Sequence, residues 1–392
     1  MAEFIVLRNA ATLTTASPFE SFGPGTRSFS VPAPPEPQVE KHDISAQEAN
    51  DLVRDPQVAA IARPMPIALI RPFAVEGSAA ATTAWGIQAI KADTSSLDGD
   101  GVIVAVLDTG IDKTHPAFTG VELVQKDFTG SGDGDAHGHG THCAGSIFGR
   151  DVNGTRIGIA RGVKKALIGR VLGANGGGDS AMIFRGIQWA LDQGAHVISM
   201  SLGFDFPGAV ERAEAGGLPT RPAVSNALEA YRSNLRFFDA LMQMVKARAA
   251  FQDTAVVVAA TGNESQRPTF TVAVSLPAAA EGVVSVAALG RNAGGKFGIA
   301  NFSNTMAQIA APGVDILSAK LGGGLASMSG TSMACPHVAG CATLWWHALK
   351  KAGNVRPTAN SVVNNLLVGA RTDVLDTMTQ DDRGTGIVTA PQ

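Results

Sequence analysis

From residue 101 onward, short apolar runs alternate with longer amphipathic stretches. Residues 101–107, 166–172, 196–201, 255–260 and 282–288 are each six or seven positions, mostly apolar, the pattern of strands buried on both faces of a parallel sheet. Between them, residues 181–193 and 331–351 carry apolar residues at helical spacing. Strand–helix alternation of this kind predicts an α/β fold, a doubly wound, mostly parallel sheet covered on both faces, with binding sites at the carboxyl ends of the strands.

The first eighty residues read differently. Residues 3–8 alternate as a strand, while 17–40 are rich in Pro, Ser and Gly and exclude a long helix. Ser45-Ala46-Gln47-Glu48 is a capping signal that opens a short helix through Leu52. Residues 58–61 and 67–70 read as strands, and 76–83 as an exposed linker. Two units are therefore expected, a small α+β domain over 1–80 and a large one over 81–392. An extra segment near 204–249 belongs to the large unit. In it, Leu228, Tyr231, Leu235, Phe238 and Leu241 recur at helical spacing.

Composition narrows the function classes. Hydrophobic residues are 45% of the 392 and charged residues 17%, enough for a large core. Nine acidic and six basic side chains fall in residues 1–80, which leaves twenty-five of each in the remainder. With no basic block and aromatics at 6%, nucleic acid is not an expected partner. No apolar run is long enough to span a bilayer, so no membrane is expected either. No secretory signal is evident at Met1, and a cytoplasmic location is expected. The three cysteines cannot all pair and read as buried thiols.

Three segments carry candidate chemistry. Asp108 ends the apolar run of residues 104–107, where an ionised acid must be paired or well hydrogen-bonded. Residues 135–145 hold His137, His139 and His142. Histidine pairs that bind metal on a helix sit four apart, whereas His139 and His142 are three apart and no acid completes a set, so no metal is expected. In the third, Gly330-Thr331-Ser332 opens the helix of 331–351. A serine there lies where backbone N–H groups favour negative charge, but it also reads as an ordinary N-cap.

Together these segments resemble the three signature blocks of the subtilase family of serine proteases, in the order Asp, His, Ser. The resemblance runs over about residues 84–390 and includes the closing Gly384-Thr385-Gly386-Ile387-Val388. It implies a subtilisin-like fold and a triad. Ser332 would be the nucleophile, His139 the general base and Asp108 its orienting carboxylate. Val258–Gly262 with Asn263 resembles the block that carries the oxyanion amide. Ser201, Leu202 and Gly203, with Gly176, Gly177 and Gly178, match the segments that sandwich substrate as an added strand. Cys143 stands where some relatives keep a free thiol beneath the histidine. The usual calcium aspartate falls on Ala117 and a ligand asparagine on Val152, so that calcium site is expected to be absent. No cofactor is required, although calcium elsewhere is left open.

The resemblance also implies that residues 1–80 are an inhibitory prosegment bound in the active site, with self-cleavage somewhere in 72–84. The expected function is a serine endopeptidase, acting as a monomer on peptide or protein substrates. A catalytically silent peptide-binding relative and a transpeptidase are the alternatives. The extra segment near 204–249 is expected to pack against the body, and overhanging the specificity pocket is its other reading.

Overall fold

The computed structural model describes residues 1–10, 36–75, 82–250, 254–353 and 357–392. The large unit is built on an eight-stranded sheet. Across it run Phe297–Ile299, Val283–Arg291, Val256–Ala260, Val197–Met200, Ile103–Asp108, Lys165–Arg170 and Glu122–Asp127, with Ile309–Pro312 also paired to Val283–Arg291. All pairings are parallel except that of the edge strand Phe297–Ile299. The central strands are buried along almost their whole length, as all-apolar sequences require when helices cover both faces. On one face lie the histidine helix His139–Phe148 and the serine helix Thr331–Lys351; on the other lie Ser180–Asp192 and Thr220–Ala247.

The expected elements from residue 101 onward are present with small shifts at their ends. One differs in kind: the extra segment forms two helices, Phe206–Ala215 and Thr220–Ala247, where one was expected. Pro336 is the sixth residue of the serine helix, beyond its first turn. Its missing N–H would have bonded the Ser332 carbonyl. That oxygen accepts instead from Ser201 Oγ at 3.0 Å and Cys143 Sγ at 3.5 Å.

The N-terminal unit is a three-stranded antiparallel sheet in which Ala2–Ala10 lies between Glu36–Ile44 and Val58–Ala62. Ser45 and Glu48 close a reciprocal capping box on the helix Ala46–Leu52. The strand Glu36–Ile44 was not foreseen, because Pro37 and a charged run hide its alternation. It forms since residues 2–10 supply a complete partner, which places Pro37 opposite Asn9 near the strand's end. Residues 76–81, most of the expected linker, lie outside the described residues. Among the described residues no helix is long and apolar enough to cross a membrane.

Ile5, Leu7 and Ala62 of this sheet, with Met65 just beyond it, are buried in one cluster with Phe184, Phe237, Phe238 and Leu241 of the covering helices. Polar contacts fix the alignment. Asn234 Nδ2 donates to the Arg63 carbonyl at 2.8 Å, the Val39 N–H donates to Gln188 Oε1 at 2.9 Å, and Arg248 pairs with Glu36 at 2.7 Å.

Candidate active site

Asp108 is the last residue of Ile103–Asp108, so the sheet delivers its carboxylate at the carboxyl edge. Its Oδ1 accepts from the Thr109 N–H at 2.7 Å and lies 2.8 Å from His139 Nδ1. Both side chains are buried. His139 begins its helix, directly over the Asp108 turn. A Cβ on Gly140 would come within 2.2 Å of the Gly110 carbonyl, so only glycine permits that approach. With Nδ1 directed to the carboxylate, Nε2 is left as the basic nitrogen. Nε2 is buried and has no hydrogen-bond partner among the described residues.

Asp135 was not singled out from sequence, yet it braces this corner. Its carboxylate accepts from the His137, Gly138 and Thr141 N–H groups and from the Thr109 and Thr141 hydroxyls, at 2.7–3.0 Å. Burial pushes its pKa up, but the bonds from Gly138, Thr141 and His137 outweigh this and hold it below the usual carboxylate value. The only hint in sequence was an acid four residues before a glycine-flanked histidine.

Ser332 is the second residue of its helix, where backbone N–H groups have no intrahelical acceptor. Asn263 follows the strand Val256–Ala260. Its Oδ1 accepts from the Thr331 N–H at 2.8 Å and the Thr331 hydroxyl at 2.9 Å, which turns the amide NH₂ toward the cleft. Gly330 makes room for it, since a Cβ there would stand 2.9 Å from Asn263 Nδ2. Cys143 lies beneath, its Sγ 3.8 Å from His139 Nδ1. Burial, and then the Asp108 charge, push that thiol well above its ordinary pKa, so it is not a thiolate. Ligand atoms of Asp108, His139 and Cys143 lie within 4.8 Å of one another, the one such group among the described residues, but a protonated thiol is a poor metal ligand.

A strand of the chain itself crosses this site. Pro66–Leu69 lies antiparallel between Leu202–Phe204 and Gly177–Asp179, and the Leu69 N–H donates to the Gly176 carbonyl at 2.8 Å. The residues predicted to sandwich an added strand therefore do flank one. Past Ser332, Phe73–Val75 pairs with Leu325–Ser329. Between the two strands the Ser332 hydroxyl donates to the Ile70 carbonyl at 3.0 Å, while Asn263 Nδ2 donates to the next carbonyl, that of Arg71, also at 3.0 Å.

His115, His142 and His337 take structural positions. His115 caps a short turn at Pro116–Phe118, His142 Nε2 lies 3.1 Å from both the Ile316 and Ala326 carbonyls, and His337 Nδ1 donates to the Met333 carbonyl at 2.8 Å. At the expected calcium position, Ala117 and Val152 are buried apolar side chains. Nearby carbonyls are taken by guanidinium groups: Arg150 donates to Phe148 and Val163, and Arg156 to Ala92.

A family model described as the subtilase family matches residues 99–386, most of the chain, including Asp108, His139, Asn263 and Ser332. The chain belongs to the subtilase family. Among similar subtilases, the alkaline protease of Alkalihalobacillus alcalophilus is 30% identical over 342 residues, covering 84% of this chain and 76% of that protein. Subtilisin Savinase of Lederbergia lenta is 32% identical over 300 residues, 73% of this chain and 94% of that protein. Subtilisin-like protease 6 of Trichophyton verrucosum is 35% identical over 245 residues, 62% of this chain. The chain spans about half the length of that fungal relative, 51%.

Proposed function

We propose that this subtilase is a serine endopeptidase that works through an acyl-enzyme and is held shut by its own N-terminal segment. Ser332 attacks the peptide carbonyl, His139 Nε2 takes the proton and returns it to the leaving amine, and Asp108 holds the imidazole and its developing charge. Asn263 Nδ2 stabilises the oxyanion. Substrate enters as a strand between residues 176–178 and 201–203. No cofactor enters these steps, and the guanidinium groups of Arg150 and Arg156 serve where relatives keep calcium.

The observation that carries the reading is the peptide strand laid across nucleophile and oxyanion amide together. That strand sits as an inhibitor. Attack requires that the carbonyl facing Ser332 also place its oxygen on Asn263. Here the two contacts fall on successive carbonyls, Ile70 and Arg71. The hydroxyl donates to the Ile70 oxygen, and His139 Nε2 has no hydrogen-bond partner among the described residues. Self-cleavage then needs a shift of the chain by one residue, or a later bond in 72–84.

The test compares full-length wild type with Ser332→Ala. Wild type should label with a fluorophosphonate on Ser332, hydrolyse peptides and acquire a new N-terminus in 72–84; Ser332→Ala should do none of these. A wild-type chain that neither labels nor cleaves any peptide after the N-terminal segment is removed defeats the proposal.

A further inference from the structure

The carbonyl of Ser332 is a joint between three elements. In an unbroken helix this oxygen would accept the N–H of residue 336, but Pro336 has none and its ring crowds the oxygen. Ser201 Oγ donates to it instead at 3.0 Å, and Cys143 Sγ at 3.5 Å. Cys143 lies four residues past His139 in the histidine helix. Ser201 directly follows Val197–Met200, which is paired on both sides within the central sheet. Ser201, Cys143 and Ser332 are all buried, so bulk water does not reach the oxygen to replace a lost donor.

The two donors are unequal. A thiol is a weak donor, and the hydroxyl is also the nearer of the two. Cys335 Sγ, the other thiol beside the Ser201 hydroxyl, is occupied by the Met200 and Val258 carbonyls at 3.6 Å. The single hydroxyl proton of Ser201 therefore goes to Ser332. Because the peptide group is planar, holding this oxygen fixes the ψ torsion of Ser332, which a helix would otherwise lock through its own N–H. From Ser201 the chain runs directly into Leu202–Phe204, which pairs with the crossing strand Pro66–Leu69. One residue thus ties the backbone of Ser332 to the edge that aligns the peptide.

We propose that Ser201 is a positioning residue for Ser332, a role apart from flanking the bound strand. Its hydroxyl, rather than the serine helix, sets where the nucleophile meets the scissile bond. Pro336 passes that control from the helix to the sheet. This inference rests on the peptidase reading above.

Two arms test it and separate its failure from that of the peptidase reading. In the first, kcat per titrated active site should fall about tenfold or more in Ser201→Ala, with KM little changed. Ser201→Thr, which keeps the hydroxyl, should restore most of it. Pro336→Ala returns an N–H to the Ser332 carbonyl, so in that background the loss from Ser201→Ala should shrink toward none. A merely structural serine would lower the number of active sites and leave kcat per site alone. The second arm uses the full-length Ser332→Ala chain, in which the carbonyl of residue 332 remains and nothing is cut. There Ser201→Ala should lower the thermal midpoint by about 2–4 °C, and adding Pro336→Ala should reduce that loss. Unchanged kcat per site in Ser201→Ala, or an equal loss with and without Pro336→Ala, overturns the assignment. If wild type cuts no peptide, the peptidase reading fails and the midpoints alone decide this one.

Discussion

The body of this subtilase and its N-terminal segment are held together in different ways. The body's central sheet has helices on both faces, and its own residues fill each of the two apolar clusters almost completely. The N-terminal sheet has three strands, and of its central strand Phe4 and Val6 are buried on one face and Ile5 and Leu7 on the other, the one turned to the body. Ile5 and Leu7 are fully buried only because Phe184, Phe237 and Phe238 of the body lie beneath them. A sheet this small folds on a borrowed surface. Under the proposed function, the difference would let an inhibitor be attached and still removable: its stability is mostly docking stability, and its peptide crossing Ser332 is fixed only while the docking lasts.

The same substitution on each side should break that comparison most forcefully. Leu7→Asp places an unpaired charge in the docked face, a cost of about 3–5 kcal/mol if the face stays buried. The segment should instead undock, and peptide hydrolysis by the full-length chain should rise about 10²–10³-fold while the body still unfolds cooperatively on heating. Leu107→Asp, at an equally buried position of the central strand, should leave no cooperative transition. Loss of cooperative melting in Leu7→Asp as well would show that the segment belongs to the core.

Asn263→Ala sharpens the contrast, because the same amide serves catalysis and the lock. Its removal should lower kcat about 10²–10³-fold, a scale known from subtilisin itself and carried over to this relative. The lock should lose only the bond to the Arg71 carbonyl, about 0.5–1.5 kcal/mol. Active-site titration beside steady-state kinetics separates the two. If the lock weakens as much as catalysis does, the segment is held chiefly at the nucleophile rather than by its sheet.

Most of the body was legible in the sequence, because buried parallel strands cannot alternate and the triad chemistry fixes residue types within short blocks. Asp108, His139, Ser332 and Asn263 stood out for that reason. Residues 201–203 and 176–178 were legible only through resemblance, since backbone pairing leaves no mark on side-chain identity. What escaped was set by three-dimensional distance. Nothing in Ile70-Arg71-Pro72 says that Ser332 and Asn263 would take successive carbonyls. The helical stripe from Leu228 to Leu241 left packing against the body and overhanging the specificity pocket both open, and it does not say that Leu228 and Tyr231 face a cleft while Phe238 and Leu241 face a core. Ser201 and Cys143 take up the carbonyl freed by Pro336, which requires knowing that three distant segments meet.

Acid should weaken the two regions at different pH. Burial, with a smaller contribution from His139, lowers the pKa of His142 to about 3, and burial lowers that of His337 to about 4. His142 Nδ1 has no hydrogen-bond partner among the described residues to accept from a second proton. Unfolded, both rings titrate near ~6.5. The unfolded body therefore binds more protons than the folded one between about 6.5 and 4, so stability is complete above that window and is lost as pH falls through it. The N-terminal sheet depends on carboxylates: Arg8 reaches Glu40 at 3.0 Å and Asp55 at 2.8 Å. Burial raises Glu40, but bonds from His42 and Arg8 outweigh it, and bonds from Gln57 and Arg8 lower Asp55. Those contributions persist down to about pH 4.5, the ordinary carboxylate range, and fade only below it. Thermal midpoints of the Ser332→Ala chain should accordingly fall between pH 6.5 and 5, before the sheet's ion pairs are touched, and His337→Gln should flatten that decline. A midpoint constant down to pH 5 would place the acid-sensitive groups in the segment and reverse the assignment.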